Sequence, residues 1–100
     1  MTIPIQFTHR NGAGSDTLNE LTQEKFQRLY KLAPKITDVK VVFNVEGLVH
    51  TAEAELHLPG IAPICARAQT DDMYKSVDTL VPKLARQLEK YKELHMGHQQ

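Results

Sequence analysis

Between Val39 and Gln69 the chain alternates apolar and polar residues in three successive segments separated by short breaks. Val39, Val41, Phe43 and Val45 alternate with Lys40, Val42, Asn44 and Glu46. Gly47 ends that run. Ala52, Ala54, Leu56 and Leu58 then alternate with Glu53, Glu55 and His57, and Pro59-Gly60 marks a turn. Ile64, Ala66 and Ala68 alternate with Cys65, Arg67 and Gln69. Period two places every second side chain on one face, so each segment reads as a half-buried strand. The short connections predict antiparallel neighbours. The result is a sheet with one apolar face, which must be covered by another layer.

The flanking segments supply that cover. Residues 3 to 9 form a further strand, with Ile3, Ile5, Phe7 and His9 on one side. Pro4 cannot donate to a ladder, so it belongs at the strand start or on an edge. Asn11-Gly12-Ala13-Gly14 is a loop. A helix follows, capped by Ser15 or Thr17; Thr17 to Glu20 has the capping-box spacing. Leu18, Leu21, Phe26, Leu29, Tyr30, Leu32 and Ala33 share one half of its wheel, and Pro34 ends it. A second, longer helix opens at Thr70-Asp71-Asp72, with Thr70 or Asp71 as its cap, and runs to about His95. The expected order is β-α-β-β-β-α: an α+β two-layer sandwich, a four-stranded sheet with two helices on one face. Residues 1–95 form a single domain and 96–100 a short flexible tail.

Composition narrows the classes. The 100 residues bound one domain with a modest core, and an apolar fraction of 41% is that of a globular protein. No apolar run has the length of a membrane span, and Met1-Thr2-Ile3-Pro4 is not a secretory start. One cysteine excludes an internal disulfide and fits a reducing cytosol. Twelve basic residues balance twelve acidic ones, so there is no broad basic excess of the kind nucleic-acid binders usually carry. Any such surface depends on where the charges sit.

On the last helix they are sorted into sectors of the wheel. Leu80, Met73, Tyr91, Leu84, Val77, Leu88, Val81, Tyr74 and Ala85 together fill one apolar arc. Next round the wheel come the acidic residues Asp78, Glu89 and Glu93, and beyond them the basic residues Lys75, Arg86, Lys90 and Lys83. Those four cations span roughly 22 Å, a row that successive RNA phosphates can meet with release of counterions. An ordinary solvated helix face has the same composition. On the first helix, Arg28 and Lys31 lie on the polar side, while Lys25 falls in the apolar sector and must snorkel out. Helices packed side by side would bring both sets of cations into one patch. Glu53 and Glu55 make the outer sheet face a poor seat for RNA. Pro82 interrupts the long helix on its solvent side, so a kink is expected near Asp78 to Pro82.

Other chemistry finds little support. His95 and His98 have a helical metal-ligand spacing but no completing ligand. Cys65 has no identified base partner, and Glu53 and Glu55 form no pocket as a carboxylate pair. No phosphate loop, nucleophile elbow or zinc motif is present. Neither an enzyme, a cofactor nor a metal site is expected.

The run from Asp72-Met73-Tyr74-Lys75 through Asp78-Thr79-Leu80 to Lys83-Leu84-Ala85-Arg86-Gln87-Leu88-Glu89-Lys90 closely resembles the last helix of the ribosome hibernation promoting factor and protein Y family. Arg10-Asn11, Ser15-Asp16-Thr17-Leu18 and Val49-His50-Thr51-Ala52-Glu53-Ala54 resemble the family's first-strand exit, helix start and third strand. The resemblance implies a cytoplasmic, non-enzymatic silencer of translation. Its partner would be the small ribosomal subunit, bound through ribosomal RNA in the channel of mRNA and tRNA. It further implies idle ribosomes held inactive, often as dimers. In the promoting-factor type a ribosome modulation factor is a second partner for dimerisation. Membranes and DNA are not implied. By position, the RNA contacts it implies are Arg10, Lys75, Lys83, Arg86 and Lys90, with Arg28 and Lys31 behind them. Two other readings stand beside it: a protein-interaction module using the exposed sheet face, and a generic binder of double-stranded RNA.

Overall fold

The computed structural model describes residues 4–95. Its elements are β1 (Ile5–Arg10), α1 (Asp16–Leu32), β2 (Asp38–Glu46), β3 (Val49–His57), β4 (Ile64–Thr70) and α2 (Met73–His95), the expected order and α+β class. Ile3, the 96–100 tail and His98 lie outside the described residues, as does the His95 side chain. The strands are arranged β1-β2-β3-β4. β2, β3 and β4 are antiparallel neighbours, with Phe43 opposite Ala52 and Ala52 opposite Ala68. β1 runs parallel to β2, Phe7 opposite Val41, because α1 carries the chain back across the sheet between them. Pro4 stands just before β1 on the sheet edge, and its carbonyl accepts from the Val39 N–H at 3.0 Å. Its missing N–H falls at the very start of the ladder, where a lost bond costs the sheet least.

The inward positions of the strands meet the apolar faces of both helices. Val39, Val41, Phe43, Ala52 and Leu56 are buried against Phe26 and Leu29 of α1 and Val77, Leu80, Leu84 and Leu88 of α2. Polar residues complete the layer where a backbone acceptor is at hand. Thr22 is fully buried and its Oγ1 donates to the Leu18 carbonyl at 2.8 Å. Ser76, outside the apolar arc of the wheel, is buried because its Oγ donates to the His50 carbonyl at 2.7 Å, tying α2 to β3. Tyr74, at the margin of that arc and in the first turn, is instead 45% exposed.

The helix starts resolve to one cap each. Ser15 Oγ accepts from the Leu18 N–H at 3.1 Å, and both Thr17 and Glu20 lie inside α1. At α2 the cap is neither Thr70 nor Asp71. Asp72 Oδ1 accepts from the Tyr74 N–H at 2.9 Å, while Thr70 Oγ1 accepts from the Asp72 N–H at 3.1 Å and forms the turn before it. α2 continues unbroken through Pro82, which is exposed. The carbonyl of Asp78, which would have paired with an N–H at position 82, belongs to an exposed residue, so water can replace that bond.

Candidate nucleic-acid interface

The cations do not form the single patch that side-by-side helices would suggest. α1 packs along the acidic flank of α2. Lys25, carried into the apolar sector of α1, reaches out to Asp78 of α2 at 2.8 Å. A shallow groove between the helices is lined by Lys25, Arg28 and Lys31 from α1 and by Glu89 from α2. Asp78 and Glu89 thus form an acidic seam between the α1 cations and the basic row of α2.

The basic flank of α2 faces the other way, toward β4. Lys83 Nζ donates to the Arg67 carbonyl at 2.8 Å, and Gln87 Nε2 donates to the Cys65 carbonyl at 2.7 Å. Lys83 is exposed but held in place by this bond. Lys75, in the first turn of α2, lies 3.4 Å from Asp71, an exposed i,i+4 pair. Arg86 and Lys90 are exposed, with no ion-pair or hydrogen-bond partner among the described residues. Of the expected contact residues, Lys75, Lys83, Arg86 and Lys90 therefore share one side of α2, and Arg28 and Lys31 stand beyond the seam. Arg10 belongs to neither group. It ends β1 on the outer sheet face, beside Asn44, Glu46 and Gln69 in a shallow depression.

That outer face carries charges of both signs, some of them paired with each other. Arg67 forms an ion pair with Glu53 at 3.3 Å, and His57 Nε2 is hydrogen-bonded to Glu55 Oε1 at 3.0 Å. Cys65 is exposed there, its thiol pKa raised by burial of the sulfur's surroundings and then by the charges of Glu55 and Glu53. A thiol so placed is a weak nucleophile at neutral pH. Among the described residues no group of three or more metal-ligating side chains exists. Among them, too, no helix is long and apolar enough to cross a membrane. Gln87 is a position that the charge pattern alone does not single out. Its spacing of four from Lys83, on the same side of the helix, is the signal that marks it.

A family model described as "Sigma 54 modulation protein / S30EA ribosomal protein" matches residues 5–95. The ribosome hibernation promoting factor of Escherichia coli K12 is 39% identical over 94 residues, 94% of this chain and 98% of that one. The chain belongs to this family of ribosome hibernation promoting factors. The Azotobacter vinelandii member is 42% identical over 86 residues, covering 86% of this chain and 79% of its own. Among solved structures, a ribosomal subunit interface protein from Coxiella burnetii superposes with a TM-score of 0.83 at 39% identity, over 90% of this chain and 98% of that one. The N-terminal domain of Thermus thermophilus protein Y gives 0.78 at 25% identity, over 91% and 99%. The family acts by association with the ribosome and is not enzymatic.

Proposed function

We propose that this hibernation factor binds the small ribosomal subunit in the mRNA and tRNA channel. There it blocks translation in the cytoplasm and holds idle ribosomes in an inactive, dimer-competent state, with a ribosome modulation factor as the second component of dimerisation. RNA is its principal contact. The observation that carries this reading is the pair Arg86 and Lys90, exposed on α2, unpaired among the described residues, and aligned with Lys83 and Lys75. Unpaired surface cations are free to exchange their counterions for phosphates, which an ion-paired cation such as Arg67 on the outer sheet face cannot do as readily. Arg10, Arg28 and Lys31 stand on other faces and lie outside this contact row.

Co-sedimentation with isolated small and large subunits across a salt series tests this. The native chain is expected to pellet with small subunits alone, and less as salt rises. Arg86→Glu/Lys90→Glu is expected to abolish the association at moderate salt. Equal pelleting with both subunits, or with naked duplex RNA, would point to a generic RNA binder. No association at low salt would defeat the proposal.

A further inference from the structure

β4 is an edge strand. In an antiparallel pair, every second residue turns both its N–H and its C=O away from the neighbouring strand. In β4 these residues are Cys65, Arg67 and Gln69, since the carbonyls of Cys65 and Arg67 accept from α2. A bare edge presents donors and acceptors in alternation, the template for another strand. This edge has been changed. Lys83 and Gln87 occupy the two carbonyls that lie between the three N–H groups, at 2.8 and 2.7 Å. The match is geometric: residues two apart on a strand and four apart on a helix both repeat at roughly 6 to 7 Å. The N–H groups of Cys65, Arg67 and Gln69 have no partner among the described residues. What remains from Cys65 to Gln69 is a row of three donors, with the Gln69 carbonyl the one uncapped acceptor at its far end.

A donor row suits a ligand that offers only acceptors. A pairing β-strand needs acceptors as well as donors from its partner, so the capped carbonyls disfavour it. A sugar–phosphate backbone presents anionic oxygens in series and needs only donors. The Lys83 ammonium has three donors, one of them used on Arg67, and Arg86 and Lys90 stand on the same side of the helix. We propose that the seam between the β4 edge and α2 is a track for one RNA strand. In it the main-chain N–H groups of Cys65, Arg67 and Gln69 bind phosphate or ribose oxygens, and Lys83 and Gln87 serve as positioning residues. This assignment rests on the RNA-directed reading above and specifies its contact surface.

Residue-resolved hydrogen exchange on the full chain, free and bound to purified small subunits, tests it. The three edge amides are expected to exchange fast when free and to slow at least about tenfold when bound, as unpaired amides do on acquiring a partner. A variant pair adds a functional readout. Cys65→Pro and Cys65→Ala both remove the thiol, but only the first removes the N–H, near a strand start where proline's geometry is tolerated. Relative to Cys65→Ala, Cys65→Pro is expected to weaken small-subunit binding about three- to tenfold, the loss of one hydrogen bond, with an unchanged salt slope because no charge is removed. Cys65 is the chain's one cysteine, so a photocrosslinker attached to it reports what lies alongside. Crosslinks to ribosomal RNA support the track, and crosslinks to a ribosomal protein alone overturn it. Unprotected edge amides in a bound state that Arg86→Glu/Lys90→Glu abolishes would overturn the track and leave the RNA reading intact. Absence of binding by the native chain would overturn both. Should Cys65→Pro fail to fold, exchange and crosslinking on chains that keep the Cys65 N–H decide the matter.

Discussion

Cys65 lies across the strand pair from Glu55, with Glu53 close by and Arg67 already committed to Glu53 at 3.3 Å. Desolvation and two carboxylates all penalise the thiolate, and the pKa rises. Cys65 is therefore expected to react with iodoacetamide more slowly than a free thiol at a mildly alkaline pH, with the reaction accelerating as pH rises. Glu55→Gln, which removes one of the opposing charges, should speed it at fixed pH. A rate equal to that of a free thiol in the native chain would refute this account. Gly14 shows the opposite dependence, on space rather than charge. It has φ +88, and a Cβ there would overlap the His9 ring. That ring stacks on Phe43 with centroids 5.7 Å apart and lies 2.9 Å from Asn19 Oδ1, so it has little freedom to yield. Gly14→Ala is expected to lower stability by about 1–3 kcal/mol in urea unfolding. Adding His9→Ala should recover the part due to overlap but not the part due to the backbone.

α2 is the element whose sequence is most informative. Its wheel separates apolar, acidic and basic sectors, and each sector meets what its chemistry suits: the sheet, α1, and the β4 side. The strands are equally legible, because period two needs no tertiary information to place Val41 or Leu56 inward. What cannot be read from the chain alone is every contact between elements distant in sequence. Lys25 meets Asp78, Lys83 meets the Arg67 carbonyl, and Ser76 meets the His50 carbonyl. These partners are fixed by how the layers stack, and local pattern is silent on that. The cap of α2 falls one or two residues beyond the expected position because Thr70, Asp71 and Asp72 are all competent caps. Pro82 offers an element-scale test. It is exposed, it denies the Asp78 carbonyl an N–H, and the helix persists regardless. Pro82→Ala is expected to stabilise the chain by about 1–3 kcal/mol, visible as a higher urea midpoint with an unchanged slope. A loss of stability would mean that the proline ring packs productively, contrary to its exposure.

With equal numbers of acidic and basic residues, the molecule as a whole has no net attraction for RNA. Any attraction must come from separation of the charges, and the fold separates them twice. The seam of Asp78 and Glu89 divides the α1 cations from the α2 row, and the sheet divides both from Arg10. The Debye length is about 8 Å at physiological ionic strength, so charges on different faces act nearly independently. Reversals on the RNA-facing side should then cost affinity and reduce the salt slope by about one for each phosphate left without its cation, while reversals elsewhere should change neither by much. For small-subunit binding, Arg86→Glu/Lys90→Glu is expected to reduce the slope by about two. Arg28→Glu/Lys31→Glu is expected to leave the slope within error of the native value. Combining the two pairs should reproduce the effect of the α2 pair alone. If the α1 pair matched the α2 pair, RNA would have to span the acidic seam. The seam would then lie under the bound strand, and removing its charge by Glu89→Gln should tighten binding. If the seam stays clear of RNA, the same substitution leaves affinity unchanged, so this one variant locates the boundary of the interface.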